Sequence, residues 1–260
     1  MQKRKYYYLI HVQYLGFRYS GWQKQPQQKT IEQMIIKTLK FIRPNAQFKI
    51  LGAGRTDAKV SALNGAFELF INEQLTNEED FTELFNKNLP PDIRLLSVKK
   101  TNKDFNIIQH SKQKEYVYLF SFGEKNHPFC APFLANILED LDISLMQKGA
   151  KLFEGEHDFS TFTARIKENT MATRTIEFCE IRENDILKAN FFPQTSYALH
   201  VKGQGFMRYQ IRMMMGALIQ LGRGELQLKD IEKALQDNNS IQLTLVAPGS
   251  GLLLHNLEFN

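Results

Sequence analysis

The chain has 260 residues, of which 43% are hydrophobic and 23% charged, and this composition excludes a disordered chain, a collagen and a low-complexity repeat. Its 33 Lys and Arg against 28 Asp and Glu give a formal net charge of +5, which fits either a polyanionic partner such as RNA or an ordinary solvated basic surface. The sequence contains no run of about 18 apolar residues, so we predict no membrane span. The two cysteines, Cys130 and Cys179, are too few for a disulfide framework and lack the spacing of metal ligands, so we expect a reducing, cytoplasmic setting and no metal.

The first half of the chain predicts the order strand, helix, strand, strand, helix, strand. Residues 5–14 alternate between large apolar and other side chains, which indicates a strand rather than a signal peptide. Thr30 and Gln33 have the spacing of a capping box and predict the start of the first helix. The further predicted elements are strands at Lys49–Ala53, Gly65–Ile71 and Ile93–Val98, and a second helix from Asn77 to the Pro90-Pro91 pair.

The second half repeats this order, apart from one additional short helix. Its predicted strands are Glu115–Phe122, Arg174–Ile181, Tyr197–Lys202 and Gly251–Phe259, and its predicted helices are Asp142–Phe153, Phe206–Leu221 and Leu228–Leu235. The repeated order is typical of the split βαβ, or ferredoxin-like, plan. We therefore predict an α+β fold of two halves, each with a mostly antiparallel sheet and helices on one face, and a cleft between them. The polar stretch Asp104–Gln113 places the boundary, giving an N-terminal half of residues 1–104 and a C-terminal half of residues 105–260.

The segment most informative about chemistry is the glycine-containing loop Gly54–Asn64, which lies between two predicted apolar strands. A short loop held between strands can present one side chain in a fixed position. Asp57, preceded by Arg55 and Thr56, is a carboxylate with hydrogen-bond donors close by. An isolated Arg-Thr-Asp sequence is more typical of an Asx-type turn, so the tripeptide alone does not establish a catalytic role.

Several other segments accompany this loop in a fixed order along the chain. They are Tyr14–Phe17 and Gly21–Pro26 before the loop, and Lys114–Tyr118, Gly155–Phe159, Gly205–Arg212, Leu221–Gly224 and Ala247–Leu252 after it. Together with the loop, which is similar to the sequence G-R-T-D-A-G-V-H-A, they resemble the TruA-type tRNA pseudouridine synthases. The resemblance covers about the whole chain, and the joint order of the segments is far more specific than any one of them.

The resemblance implies an isomerase that converts uridine to pseudouridine in tRNA, in the anticodon stem-loop at positions 38–40, without a cofactor and as a homodimer. It implies that Asp57 is the nucleophile, either by attack at C1′ or through a glycal route. Arg212 would keep this carboxylate ionised, and Tyr116 would stack on the uracil or assist proton transfer. The alternatives are a phosphate-facing or solvated arginine at Arg212 and an ordinary core tyrosine at Tyr116.

A second set of candidate residues would contact the RNA. Arg55 is predicted to fill the gap left when the target base leaves its stack, or to hold the backbone there. Lys112, Lys114 and Arg208 are predicted to contact phosphates. Weaker candidates, for which a solvated charged surface is the simpler interpretation, are Arg165, Lys167 and Arg174.

The chain also differs from the family pattern at four positions. Lys59 stands where glycine is usual, Ser61 where bacterial members have histidine, Leu15 where aspartate is usual and Ile108 where arginine is usual. These differences bear on the substrate more than on the chemistry, because the three predicted catalytic residues are present. They leave three alternatives open: a weak or inactive tRNA-binding relative, a synthase with a shifted RNA target, and a protein-interaction scaffold with the same fold.

Overall fold

The structure is a computed structural model that describes residues 5–164, 171–236, 243 and 245–259. It contains both helices and strands, and nearly all of the strand pairs are antiparallel, which confirms the predicted α+β class. The chain divides into two compact units. Unit 1 comprises Met1–Lys112 and Leu254–Asn260, and unit 2 comprises Gln113–Leu253. No helix in the described ranges combines the length and the hydrophobicity needed to cross a bilayer.

Unit 1 has the element order that the sequence predicts. Its elements are β1 (Tyr6–Tyr14), α1 (Ile31–Ile42), β2 (Phe48–Gly52), β3 (Ser61–Ile71), α2 (Glu78–Asn88) and β4 (Ile93–Thr101), followed at the end of the chain by most of β10 (Leu252–Phe259). The strands pair in the order β4-β1-β3-β2, all antiparallel, and β10 also pairs with β3. This is the strand order of the split βαβ plan.

Local capping explains where the two helices of unit 1 begin. The side chain of Thr30 accepts a hydrogen bond from the backbone N–H of Gln33 at 3.3 Å, which satisfies a donor that the first turn of α1 leaves open. The Asn77 side chain likewise accepts a hydrogen bond from the N–H of Glu79 at 2.8 Å, and acidic residues in the first turn of α2 interact favourably with the helix dipole. The two helices contact each other, and α2 lies along β4.

Unit 2 contains more elements than the sequence predicts. They are β5 (Ser111–Phe122), β6 (Ala135–Ile137), α3 (Ile143–Lys151), β7 (Gly155–Asp158), β8 (Thr173–Glu183), β9 (Tyr197–Gly203), α4 (Gln210–Gly222) and α5 (Leu228–Ala234). The strands pair in the order β5-β9-β8-β7, all antiparallel, and β6 adds to β5 in parallel. The short strands β6 and β7 were not predicted, because three or four residues carry too little periodicity to show a strand.

Two element starts in unit 2 differ from the prediction by more than one residue. β5 begins at Ser111, four residues before the predicted strand and inside the stretch predicted to be a linker. α4 begins at Gln210 rather than Phe206, because Tyr209 has a left-handed backbone with φ of 64° and ends the preceding turn there. Apolar periodicity continues through that turn, so the sequence pattern alone extends the helix too far.

The segment around residue 104 is held by unit 1. The Glu68 carboxylate accepts a hydrogen bond from the backbone N–H of Ile107 at 3.3 Å, and the Ile107 side chain is fully buried. At the other end of the chain, Asn64 donates to the side chain of Asn256 at 2.9 Å, so the end of β10 is also tied to this unit. The domain boundary between residues 104 and 105 stays a prediction.

Candidate active site

Asp57 lies on a loop between β2 and β3, as the sequence predicts, but the loop has eight residues because β3 begins at Ser61, four residues before the predicted strand. The loop is closed at both ends by backbone hydrogen bonds: Ala53 donates to Ala66 across the sheet at 3.0 Å, and Val60 donates to Asp57 at 3.2 Å. Asp57 is half-buried and Arg55 is exposed. The loop therefore has the short, fixed form needed to present a carboxylate.

The opening segment, Tyr14–Trp22, holds this loop through the residue that precedes Asp57. The backbone N–H of Trp22 donates to the carbonyl of Thr56 at 3.0 Å, and the Tyr14 hydroxyl shares a hydrogen bond with the Thr56 hydroxyl at 2.9 Å. Thr56 is therefore fixed through both its backbone and its side chain. Because Asp57 is the next residue, these contacts also restrict the position of its carboxylate.

Two glycines of the opening segment allow this close approach. Gly21 has φ of 92°, and a Cβ atom there would lie 2.6 Å from the Thr56 carbonyl oxygen. A Cβ atom at Gly16 would overlap the carbonyl of Val60, at the far end of the loop. Residues with a side chain cannot occupy such positions without moving the backbone. The opening segment and the Asp57 loop are thus two parts of one packed substructure.

Two of the residues that depart from the family pattern belong to the same substructure. The Ser61 hydroxyl accepts a hydrogen bond from the buried N–H of Gly16 at 2.9 Å, so this serine has a structural partner in the opening segment. Lys59 has a left-handed backbone with φ of 67°, and its N–H donates to the carbonyl of Tyr19 at 3.0 Å. A glycine adopts this backbone without strain.

In unit 2, Tyr116 lies on β5 opposite Val201 of β9, half-buried, with its ring edge-to-face against Phe206 at 5.3 Å between centroids. Tyr118 follows on the same face and is fully buried. Its hydroxyl donates to the carbonyl of Pro248 at 2.8 Å, and burial raises the pKa of this hydroxyl. Tyr118 is therefore a structural tyrosine, whereas Tyr116 lies toward the less buried end of the strand.

Arg212 lies in the first turn of α4 and is bonded in two ways to Ala247. Its Nε donates to the Ala247 carbonyl at 2.7 Å, and its own carbonyl accepts the Ala247 N–H at 3.0 Å. The guanidinium also lies over the ring of Tyr209 at 4.7 Å from the centroid. Sequence reasoning missed the roles of Tyr118, Tyr209 and Ala247, although all three lie in motif segments that it quoted.

The predicted RNA contacts have different environments. Arg208 is exposed beside the ring of Tyr209, with its guanidinium 5.2 Å from the centroid. Lys112 and Lys114 lie on β5; the former is exposed, and burial lowers the pKa of the latter. The weaker candidate Arg174 donates to two backbone carbonyls within its own strand region. Arg165 and Lys167 lie outside the described residues.

The candidate residues thus fall into two groups. Arg55 and Asp57 share one loop of unit 1. In unit 2, Tyr116 lies on β5, Arg212 in the first turn of α4 and Arg208 two residues before that helix. That the two groups act on one substrate stays a prediction. Within the described part of the chain, no cluster of three or more His, Cys, Asp or Glu side chains could hold a metal ion.

A family model described as tRNA pseudouridine synthase matches residues 10–108 and 150–260. The chain belongs to this family. The matched ranges include Arg55, Asp57, Arg208 and Arg212, whereas Tyr116 lies in the stretch between them. The enzyme is therefore an isomerase of the pseudouridine synthase type, and the resemblance that the sequence motifs indicate is confirmed.

Individual relatives agree with the family match over nearly the whole chain. The chain is 30% identical to tRNA pseudouridine synthase A 2 of Bacillus cereus over 253 residues, which is 97% of this chain and 99% of the relative. It is 30% identical to tRNA pseudouridine synthase A of Limosilactobacillus reuteri over 256 residues, 98% of this chain and 97% of the relative. It is 31% identical to tRNA pseudouridine synthase A of a Bacillus species, strain KSM-64, over 252 residues, 97% of this chain and 99% of the relative.

Proposed function

We propose that this enzyme isomerises uridine to pseudouridine in the anticodon stem-loop of tRNA, at positions 38–40, with Asp57 as the nucleophile. The observation that carries the proposal is the way in which the opening segment fixes Thr56, the neighbour of Asp57, through a backbone bond of 3.0 Å and a side-chain bond of 2.9 Å. A nucleophile must be held close to its productive geometry, and these contacts support the proposal because they restrain the loop that carries Asp57. The names of the relatives support tRNA as the substrate.

The reaction asks for few chemical groups. The N1–C1′ bond breaks, the uracil turns and C5 joins C1′, while C5 loses a proton and N1 gains one. The product is an isomer of the substrate, so neither a redox cofactor nor an energy source is consumed. Asp57 would supply the carboxylate, by attack at C1′ or through a glycal route. Tyr116 would stack on the base or move a proton, and Arg212 would favour the ionised carboxylate.

The RNA would be held by charge and by base flipping. Arg55, exposed beside Asp57, would occupy the place of the flipped base or contact its backbone. Lys112, Lys114 and Arg208 would contact phosphates. We also propose that the enzyme acts in the cytoplasm as a homodimer, which rests on the family resemblance alone.

The test is the variant Asp57→Asn on an unmodified tRNA transcript, with pseudouridine mapped by position. This substitution keeps the size of the side chain and removes its charge, so we expect no pseudouridine and an RNA affinity within about tenfold of the wild type, or about 1.4 kcal/mol. Asp104→Asn is the matched control, because Asp104 is an exposed carboxylate of the same unit. That variant should retain wild-type activity.

Each part of the proposal fails on a different result. Full activity of Asp57→Asn would show that Asp57 is a turn residue only. Pseudouridine formed by the wild type outside the anticodon stem-loop would contradict the target and leave the chemistry intact. A wild type that binds tRNA tightly but forms no pseudouridine on any cellular RNA would identify an inactive RNA-binding relative.

A further inference from the structure

Lys59 lies in the turn that ends the Asp57 loop, and its backbone is strained. Its φ of 67° is in the left-handed region, which residues with a Cβ atom avoid because that atom approaches the following carbonyl oxygen. The backbone on either side is fixed by two hydrogen bonds: Lys59 donates to Tyr19 at 3.0 Å, and Val60 donates to Asp57 at 3.2 Å. The strain therefore falls on whichever residue occupies position 59, and glycine would remove it.

The side chain of Lys59 extends away from the core. It is exposed, and its ammonium group lies 5.6 Å from the centroid of the Phe17 ring, a distance at which a cation is attracted to the aromatic face. Among the ion pairs of the described residues, none includes Lys59. Arg55 is exposed two residues before Asp57, and Lys59 follows two residues after it, so a cation flanks the carboxylate on each side in the chain.

The contact with the Phe17 ring does not require a strained residue at this position. The side chain is exposed, and the backbone conformation favours glycine. A strained residue that folding does not require points to a functional role. The group that an exposed ammonium would meet beside a nucleophile acting on RNA is a backbone phosphate.

We propose that Lys59 binds a phosphate next to the target uridine and so contributes to the affinity for RNA. The proposal rests on the proposed function, because it takes the Asp57 loop to be the site of reaction. It also gives a chemical reason for a lysine at position 59, where the family usually has glycine. An extra phosphate contact strengthens binding and leaves the chemical step unchanged.

The experiment measures the affinity for a tRNA transcript as a function of salt for the wild type and the variants Lys59→Gly, Lys59→Asn and Lys59→Arg. Log affinity falls as log salt rises, and loss of one phosphate contact decreases the steepness of this fall by about 0.7 to 0.9. We expect this decrease in both neutral variants and not in Lys59→Arg. Glycine relieves the strain and asparagine tolerates it, so an effect shared by both reports the charge. Lys37→Gln, at an exposed lysine of α1, is the matched control and should keep the slope.

An unchanged slope in both neutral variants would overturn the proposal. A thermal melt guards against misfolding, because Lys59→Gly should unfold no more easily than the wild type; a lower melting temperature would refute the strain argument. Pseudouridine formation by the wild type separates the two proposals. If the wild type forms pseudouridine and the neutral variants have the same slope as the wild type, only the role of Lys59 fails. A wild type without activity overturns both the proposed function and the role of Lys59.

Discussion

The substitution Gly21→Ala tests whether the opening segment positions Asp57, the proposed nucleophile. The added Cβ atom would lie 2.6 Å from the Thr56 carbonyl oxygen and 3.1 Å from the carbonyl carbon of Asp57. Ordinary van der Waals contact begins at 3.4 Å, so the Thr56 carbonyl must move by about 0.8 Å. The Trp22 N–H bonds to that same carbonyl, so the displacement cannot be confined to one atom.

The expected cost has a conformational and a steric part. The left-handed backbone at φ of 92° costs an alanine about 1–2 kcal/mol, and crowding in a well-packed region costs about 1–3 kcal/mol more. We therefore expect Gly21→Ala to lower the free energy of unfolding by about 2–5 kcal/mol. A displacement of about 1 Å near the reacting groups can cost about 100-fold in rate, so the kcat of the folded variant should fall at least tenfold.

The matched control is Gly224→Ala. Gly224 also has a positive φ, of 75°, but a Cβ atom there would meet no other atom within 4 Å. This variant therefore carries the conformational cost without the crowding, and should lose about 1–2 kcal/mol of stability while keeping its kcat. The measurements are urea unfolding and single-turnover pseudouridine formation under conditions where both variants are folded. Equal kcat values for the two variants would refute the positioning argument.

Three further predictions concern stability and reactivity. Ser61→Ala removes the acceptor of the buried Gly16 N–H, so urea unfolding should show a loss of about 1–3 kcal/mol, and an unchanged midpoint would contradict this role. Burial raises the pKa of the Asp92 carboxyl, but the hydrogen bonds from Arg18 and Tyr19 together with the charge of Arg18 outweigh it and lower this pKa below its usual value near 4. The unfolded state then binds more protons, so the stability advantage of the wild type over Asp92→Asn should be full above about pH 5 and shrink toward pH 3; an advantage independent of pH would refute the sign. Burial raises the pKa of the Cys179 thiol, so iodoacetamide should label it only after unfolding, and rapid labelling of the native enzyme, detected by mass spectrometry, would contradict its burial.

Unit 1 was predictable because its signals are local. Thr30 and Asn77 each cap a helix with their own side chain, so a few adjacent residues determine where α1 and α2 begin. Burial in the strand β1 alternates from Ile10 to Tyr14, which is long enough for periodicity to show. Where residues a few positions apart determine the structure, single-sequence reasoning succeeds.

Unit 2 was less predictable because tertiary contacts set its element boundaries. The start of β5 carries no alternation of apolar residues, and its Lys114 is a strand residue because it pairs with Gly203 of β9. Tyr209 interrupts an apolar run that would otherwise continue α4 toward its N-terminus. The Lys114 pair depends on a residue distant in the sequence, and the left-handed backbone of Tyr209 concerns a single residue; propensity and period report neither feature.

The candidate site shows the same division. Sequence motifs located the Asp57 loop and the opening segment, but did not show that they pack together. The bond between Tyr14 and Thr56 joins residues 42 positions apart, and the approach of Gly21 to the loop depends on the absence of a side chain. Their physical connection needs the fold. Each of the two segments depends on the other for its position.

The two unusual residues of the loop differ in kind. Ser61 forms a hydrogen bond that fixes Gly16, so this serine has a structural role at the position where bacterial members have histidine. Lys59 adopts the left-handed backbone that a glycine would adopt without strain, because neighbouring hydrogen bonds impose this conformation whatever the side chain. The geometry around Asp57 is therefore preserved while the surface beside it gains a charge.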